Sequence, residues 1–268
     1  MSATVSAPSG EWTALLGNYD FLEDQQTGLA EGDIVGIGED YGFFVTYNSA
    51  KADVSGQATF GFRLRFDAAG GNSNDVRFNR AAWLGIDADR NGSVDVFVGV
   101  NMTGRSNILG IYSPGTGANN SPGSTSVSST PYRSYTMGGS NYNYRPVNYL
   151  ADGGTTNDLT PGKKVDPDYY LSVLVPFADI VTFLAEKSIS VTSESYVNYV
   201  AATSTQGNKI NQDISGVNAG INSKETWEQL GAFSPTLTIE GTMIPEPDSA
   251  WLGLLGMMLL FRRQRAKA

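Results

Sequence analysis

Phe62-Arg63-Leu64-Arg65-Phe66 places three apolar side chains on one face of an extended chain and two arginines on the other, the period-two signature of a half-buried strand. Val94, Val96, Val98 and Val100 repeat the alternation further along. Working outward, segments 34–37, 43–47, 83–87, 108–112, 169–175, 196–202 and 236–240 read as further strands, each bounded by turn-forming residues. The 31 glycines and 11 prolines suit many turns and few long helices. Such a series predicts an all-β chain, a jelly-roll-like β-sandwich. Two helical interruptions are expected. Phe177, Ile180, Val181 and Leu184 recur at helical spacing behind Pro176, and residues 225–230 suit a shorter turn.

Residues 113–164 are rich in Gly, Ser, Asn, Thr and Pro and carry Tyr132, Tyr135, Tyr142, Tyr144 and Tyr149. The stretch is too long for an ordinary connection and reads as a loop insertion, a flap or an irregular hairpin. Its tyrosines either stack on sugar rings or pack back onto the sandwich, and packing back is the expectation.

A chain of 268 residues with a net charge of −9 has room for one large domain and a tail. The charge argues against a nucleic-acid partner, because the clustered positive charge sits only at the extreme C-terminus. The absence of Cys and His removes disulfides, thiol nucleophiles, thiolate or imidazole zinc sites and Ser-His-Asp catalysis.

One stretch has chemical content. Asp87-Ala88-Asp89-Arg90-Asn91-Gly92-Ser93-Val94-Asp95 sets oxygen-bearing side chains at alternate positions, then a turn-forming Gly, then another Asp. That spacing lets a single loop wrap a hard cation such as Ca²⁺. An EF-hand would need a bidentate Glu where Val98 stands, so that reading fails. The stretch resembles the short Asp-x-Asp-x-Asn-Gly-x-x-Asp calcium loops of FG-GAP-type repeats, and the resemblance implies Asp87, Asp89, Asn91, Asp95 and the Ser93 carbonyl as ligands. The ion would be structural. The competing reading is a hairpin turn whose side chains bond local backbone amides. Segment 201–214, with Ser204, Thr205, Asn208, Asn211 and Asp213, is polar enough to touch a cation or glycan but reads first as a plain loop.

At the C-terminus, Pro245-Glu246-Pro247 precedes an apolar run within 249–261, followed by Arg262, Arg263, Arg265 and Lys267. A basic cluster directly behind an apolar run stops transfer and leaves the upstream chain outside. The order resembles the PEP-CTERM sorting signal. That resemblance implies an exosortase partner in a Gram-negative bacterium, an inner-membrane anchor through the helix 249–261 before cleavage, and release to the cell surface or beyond. A Sec leader should accompany such a tail. Met1 opens directly on polar and small residues, yet Val5-Ser6-Ala7 has the form of a signal-peptidase site, so the true start is expected upstream.

The expected organisation is an N-terminal segment (1–31), a sandwich domain (32–243) containing the insertion, and the sorting signal (244–268). The expected function is an exported, non-catalytic surface or matrix protein, calcium-stabilised and associated with exopolysaccharide. A carbohydrate-binding module using the tyrosines or Trp83 as stacking platforms is the alternative. A glycan hydrolase ranks below it, because it needs two carboxyls about 5–9 Å apart across a sugar. Neighbours such as Glu39-Asp40 and Glu23-Asp24 would point to opposite faces of a strand. Gly36-Ile37-Gly38 and Gly115-Thr116-Gly117 lack a phosphate-loop setting and read as turn glycines.

Overall fold

The structure, a computed structural model, describes residues 12–15, 19–27, 29–49, 56–104, 106–163 and 165–243. The first half of the chain forms β1 (Thr13–Ala14), β2 (Phe43–Asn48), β3 (Thr59–Phe66), β4 (Gly70–Asn72), β5 (Asp75–Arg77), β6 (Ala81–Asp87), β7 (Val96–Asn101) and β8 (Ile108–Tyr112). There follow β9 (Arg133–Tyr135), β10 (Tyr142–Pro146), α1 (Tyr149–Asp152), β11 (Tyr169–Pro176), α2 (Phe177–Glu186), β12 (Tyr196–Ser204) and β13 (Leu237–Thr238). The protein is all-β with two short α-helices.

The strands pair antiparallel into a five-stranded sheet, β1-β2-β3-β11-β10, and a six-stranded sheet, β13-β12-β6-β7-β8-β9. Their facing sides share one core. Phe60, Phe62, Leu64 and Phe66 of β3 enter it from one sheet, and Leu84, Ile86, Val96, Val98 and Val100 enter from the other. Phe60 and Tyr199 stack across the layers at 5.8 Å. The apolar alternation of β3 and β7 thus does what period two requires and fills the space between two sheets. α2 starts directly after Pro176 and buries Phe177, Ile180, Phe183 and Leu184 against the same core.

The second faces of β3 and β7 are buried as well. Arg63 and Arg65 are 6% and 0% exposed, which corrects the half-buried reading of β3. On β7, Phe97 joins Trp83, Tyr112 and Val200 in an outer apolar cluster roofed by Ile210, Ile214 and Trp227. A strand alternating apolar with polar or small residues is half-buried only if nothing covers its polar face, and here long connections cover both sheets.

The insertion does part of this. It supplies β9 to the edge of one sheet and β10 to the edge of the other, Tyr144 pairing with Leu171 and Ser134 with Gly110. Segment 34–37 is not a strand; it makes isolated bridges to Phe66, Asp20 and Asp40. Residues 227–230 form a turn, with the Leu230 N–H bonded to the Thr226 carbonyl. Among the described residues no helix is long and apolar enough to cross a membrane. The stretch 249–261 lies outside them.

Candidate metal centre

The β6–β7 hairpin holds the Asp-rich stretch. β6 ends on Asp87, the Asp95 N–H bonds back to the Ile86 carbonyl at 2.8 Å, and the turn between them passes through positive φ at Arg90 (59°) and Gly92 (86°). Gly92 meets that demand at no steric expense.

Asp87, Asp89 and Asp95 each turn a carboxylate oxygen inward, all within 4.8 Å of one another. Local donors orient them. Asp87 accepts the Asn91 N–H at 3.1 Å and the Gly92 N–H at 2.9 Å, while Asp89 accepts the Asn91 N–H at 3.1 Å and its side-chain amide at 3.0 Å. Asn91 Oδ1 accepts the Ser93 N–H at 2.9 Å, and Asp95 accepts the Ala88 N–H at 2.8 Å. The structure thus brings the three predicted aspartates together and gives Asn91 and Ser93 places in the turn that shapes them. Both sequence readings describe this loop: it is a hydrogen-bonded turn, and it gathers three carboxylates.

Burial pushes the Asp87 carboxyl up to about 6, helped by the charges of Asp95 and Asp89 and opposed by the Gly92 and Asn91 amides. Burial also raises Asp95, with Asp89 adding to it. The one nearby ammonium, Lys187, donates to the Asp95 carbonyl at 2.8 Å, leaving the carboxylates without a bonded side-chain cation among the described residues. An all-oxygen donor set of this kind suits a hard cation.

An open cleft of about 420 Å³ runs beside the hairpin, lined by Asp87, Asp89, Arg90, Glu228, Phe233 and Thr236 among others. The sequence reading did not anticipate it, because segment 228–236 lies far along the chain and reaches the hairpin only by folding over the outer sheet face.

Trp83 is fully buried, its indole N–H bonded to the Lys209 carbonyl at 3.0 Å, so it offers no platform to a sugar. Tyr132, Tyr135, Tyr142 and Tyr144 pack against the core as partly buried side chains. Tyr132 meets Phe183 edge-on at 4.9 Å and Tyr144 stacks on Tyr169 at 5.1 Å. Of the adjacent acids, Asp40 is buried against Arg65 while Glu39 is exposed. Pro245, Glu246, Pro247, Arg262, Arg263, Arg265 and Lys267 lie outside the described residues.

Sequence reasoning missed a second gathering of carboxylates, Asp20, Asp24 and Asp213. Asp213 fell within a stretch read as a plain loop. The one local signal was an acid directly followed by isoleucine, as in Asp213-Ile214 and Asp33-Ile34.

No protein-family profile, curated protein or solved structure matches this chain.

Proposed function

We propose that this chain is an exported, non-catalytic surface or matrix protein, delivered through its C-terminal signal by an exosortase and stabilised by Ca²⁺ in the β6–β7 hairpin. The observation that carries the delivery is the order Pro245-Glu246-Pro247, apolar run, Arg262-Arg263 at the end of the chain. The folded part supports a scaffold role. Its two sheets are read as a jelly-roll-like sandwich, and among the described residues its clustered ionisable groups are carboxylates. The hairpin aspartates, converging within 4.8 Å, suit the calcium-rich surroundings of an exported protein.

Exopolysaccharide is the partner class this reading favours. The cleft beside the hairpin combines Asp87, Asp89 and Glu228 with Arg90 and one aromatic face, Phe233, a mixture suited to polyol hydroxyls and a sugar face. A cation in the hairpin would lie at its edge.

The test is processing. The full chain behind a Sec leader is expressed in a Gram-negative host with and without an exosortase, and the membrane and surface fractions are followed by mass. Exosortase-dependent loss of the tail, abolished by Pro245→Ala with Glu246→Ala, is the expected result. A chain that keeps its tail intact beside an active exosortase overturns the delivery reading.

A further inference from the structure

Asp20 and Asp24 of one loop lie far in sequence from Asp213, yet each of the three offers a carboxylate oxygen within 4.8 Å of the others. Asp20 is 4% exposed and Asp213 1%. Backbone amides aim them: Asp20 Oδ1 accepts Phe21 at 3.0 Å and Gly216 at 3.1 Å, and Asp24 Oδ2 accepts Ala219 at 2.9 Å. Asp213 accepts Ile34 at 2.6 Å and Ile214 at 2.7 Å. Asp20 Oδ2 and Asp24 Oδ1 remain buried with no hydrogen-bond donor.

A separate observation points to a ligand. Asp33 is not one of the three and is fully buried, and the residue after it, Ile34, donates its N–H to Asp213. Asp33 Oδ2 accepts the Glu23 amide at 2.9 Å, while its Oδ1 is buried without any donor. Among the described residues no Lys or Arg forms an ion pair with any of the four; Lys163 pairs instead with Glu23 and Asp67. Three converging carboxyl groups, two of them buried, with a fourth buried carboxyl beside them cannot all ionise readily unless positive charge joins them.

We infer that Asp20, Asp24, Asp33 and Asp213 form a second, buried divalent-cation site of the Ca²⁺ type, which fastens the loop 19–27 to the stretch following β12. The donors are hard oxygens, which excludes soft-metal chemistry. They are protein oxygens held by amides in a dry setting, which suits Ca²⁺ better than Mg²⁺, an ion that keeps several of its waters. The inference does not rest on the hairpin. An ion here would act as a clasp, because Asp20 and Asp24 belong to one loop while Asp33 and Asp213 belong to the body it packs on.

The experiment is calorimetric titration of the full 268-residue chain, stripped with EDTA, with CaCl₂. A double hairpin variant, Asp87→Asn with Asp89→Asn, isolates the buried site, and Asp24→Asn disables it while an amide oxygen still accepts from Ala219. The hairpin variant is expected to bind one equivalent of Ca²⁺ and to gain Ca²⁺-dependent resistance to proteolysis across residues 19–27. Asp24→Asn should weaken that binding by about tenfold or more and lose the protection, with its circular dichroism unchanged. A hairpin variant that binds no Ca²⁺ overturns the inference and leaves the four carboxyls sharing protons, whatever the parent does. Unweakened binding in Asp24→Asn also overturns it. Should Asp24→Asn misfold, the hairpin variant decides the matter alone.

Discussion

Two groups of buried aspartates in this protein have met the same electrostatic problem differently. On the outer face of the five-stranded sheet, Asp40 and Asp168 flank Arg65 at 2.8 and 2.7 Å, and the third guanidinium nitrogen donates to the Thr156 carbonyl at 3.0 Å. Beside them Arg63 donates to Ser172 at 2.9 Å and lies over Trp12 and Tyr170, while Asp152 takes a bidentate fork from Arg145. The second group, Asp20, Asp24, Asp33 and Asp213, accepts from backbone amides and, among the described residues, forms no ion pair with a guanidinium. The difference teaches where each charge balance resides: within the chain for the first group, and in protons or a cation for the second.

The largest break of this comparison is Arg65→Met. It strands Asp40 and Asp168 in the interior, and removing one partner of a buried pair costs about 3–5 kcal/mol. Urea denaturation should show that loss, largely recovered when Asp168→Leu is added.

Next in size is the response to pH without metal. Asp33 is pushed up to about 7 and Asp87 to about 6, both by burial first. An unfolded aspartate titrates near about 3.9, so the folded chain holds these protons more tightly. Their stabilising contribution is complete below about pH 4 and is lost as pH rises through about 6 and then about 7. Asp40 and Asp152 behave oppositely. Hydrogen bonds from Thr155 and Arg65 hold Asp40 down against its burial, and Arg145 with the Asn148 amide does so for Asp152. Their contribution is present above an ordinary carboxylate pKa and is lost on acidification. Thermal melts in EDTA should therefore fall between about pH 5 and 8, and excess Ca²⁺ should flatten that fall.

A subtler change sharpens the contrast. In Asp20→Asn the side-chain oxygen still accepts from Phe21 and Gly216, and the new amide group can donate to the neighbouring carboxylates. The metal-free protein should gain about 1–2 kcal/mol, a charge-assisted hydrogen bond replacing a repulsion, while its stabilisation by Ca²⁺ shrinks. The smallest effect belongs to the hairpin, where Asp89 is exposed. Asp89→Ala in EDTA should cost about 0.5–1 kcal/mol from local hydrogen bonds, and a much larger part of the Ca²⁺ stabilisation should vanish with it.

The legible part of the fold was its inner layer. Phe62, Leu64 and Phe66, and Val96, Val98 and Val100, announce the shared core because strand periodicity maps directly onto a sheet face. The same rule misled on Arg63 and Arg65, since an arginine beside a strand looks the same whether water or a covering segment faces it. The edge strands β9 and β10 were hidden for another reason. Their inward contacts come from single tyrosines such as Tyr135, Tyr142 and Tyr144, set among Asn, Arg, Ser and Thr, and they pair with strands far away in sequence. In the hairpin, all three aspartates lie within one turn, so their spacing revealed the cluster. Asp20 and Asp24 share one loop, but Asp33 and Asp213 lie on other stretches, and nothing local relates Asp213 to the rest.

By itself, then, the sequence determined the all-β class, the facing apolar sides of the central strands, α2, the aspartate hairpin and the chemical character of the tail. Each is a short-range pattern governed by backbone period, turn chemistry or adjacent charge. Tertiary structure alone decided which polar faces are covered, that residues 113–164 give an edge strand to each sheet, and which aspartates meet an arginine and which meet only one another. Those outcomes depend on which distant segments exclude water from a given side chain, and desolvation is a property of the folded chain that no local spacing records.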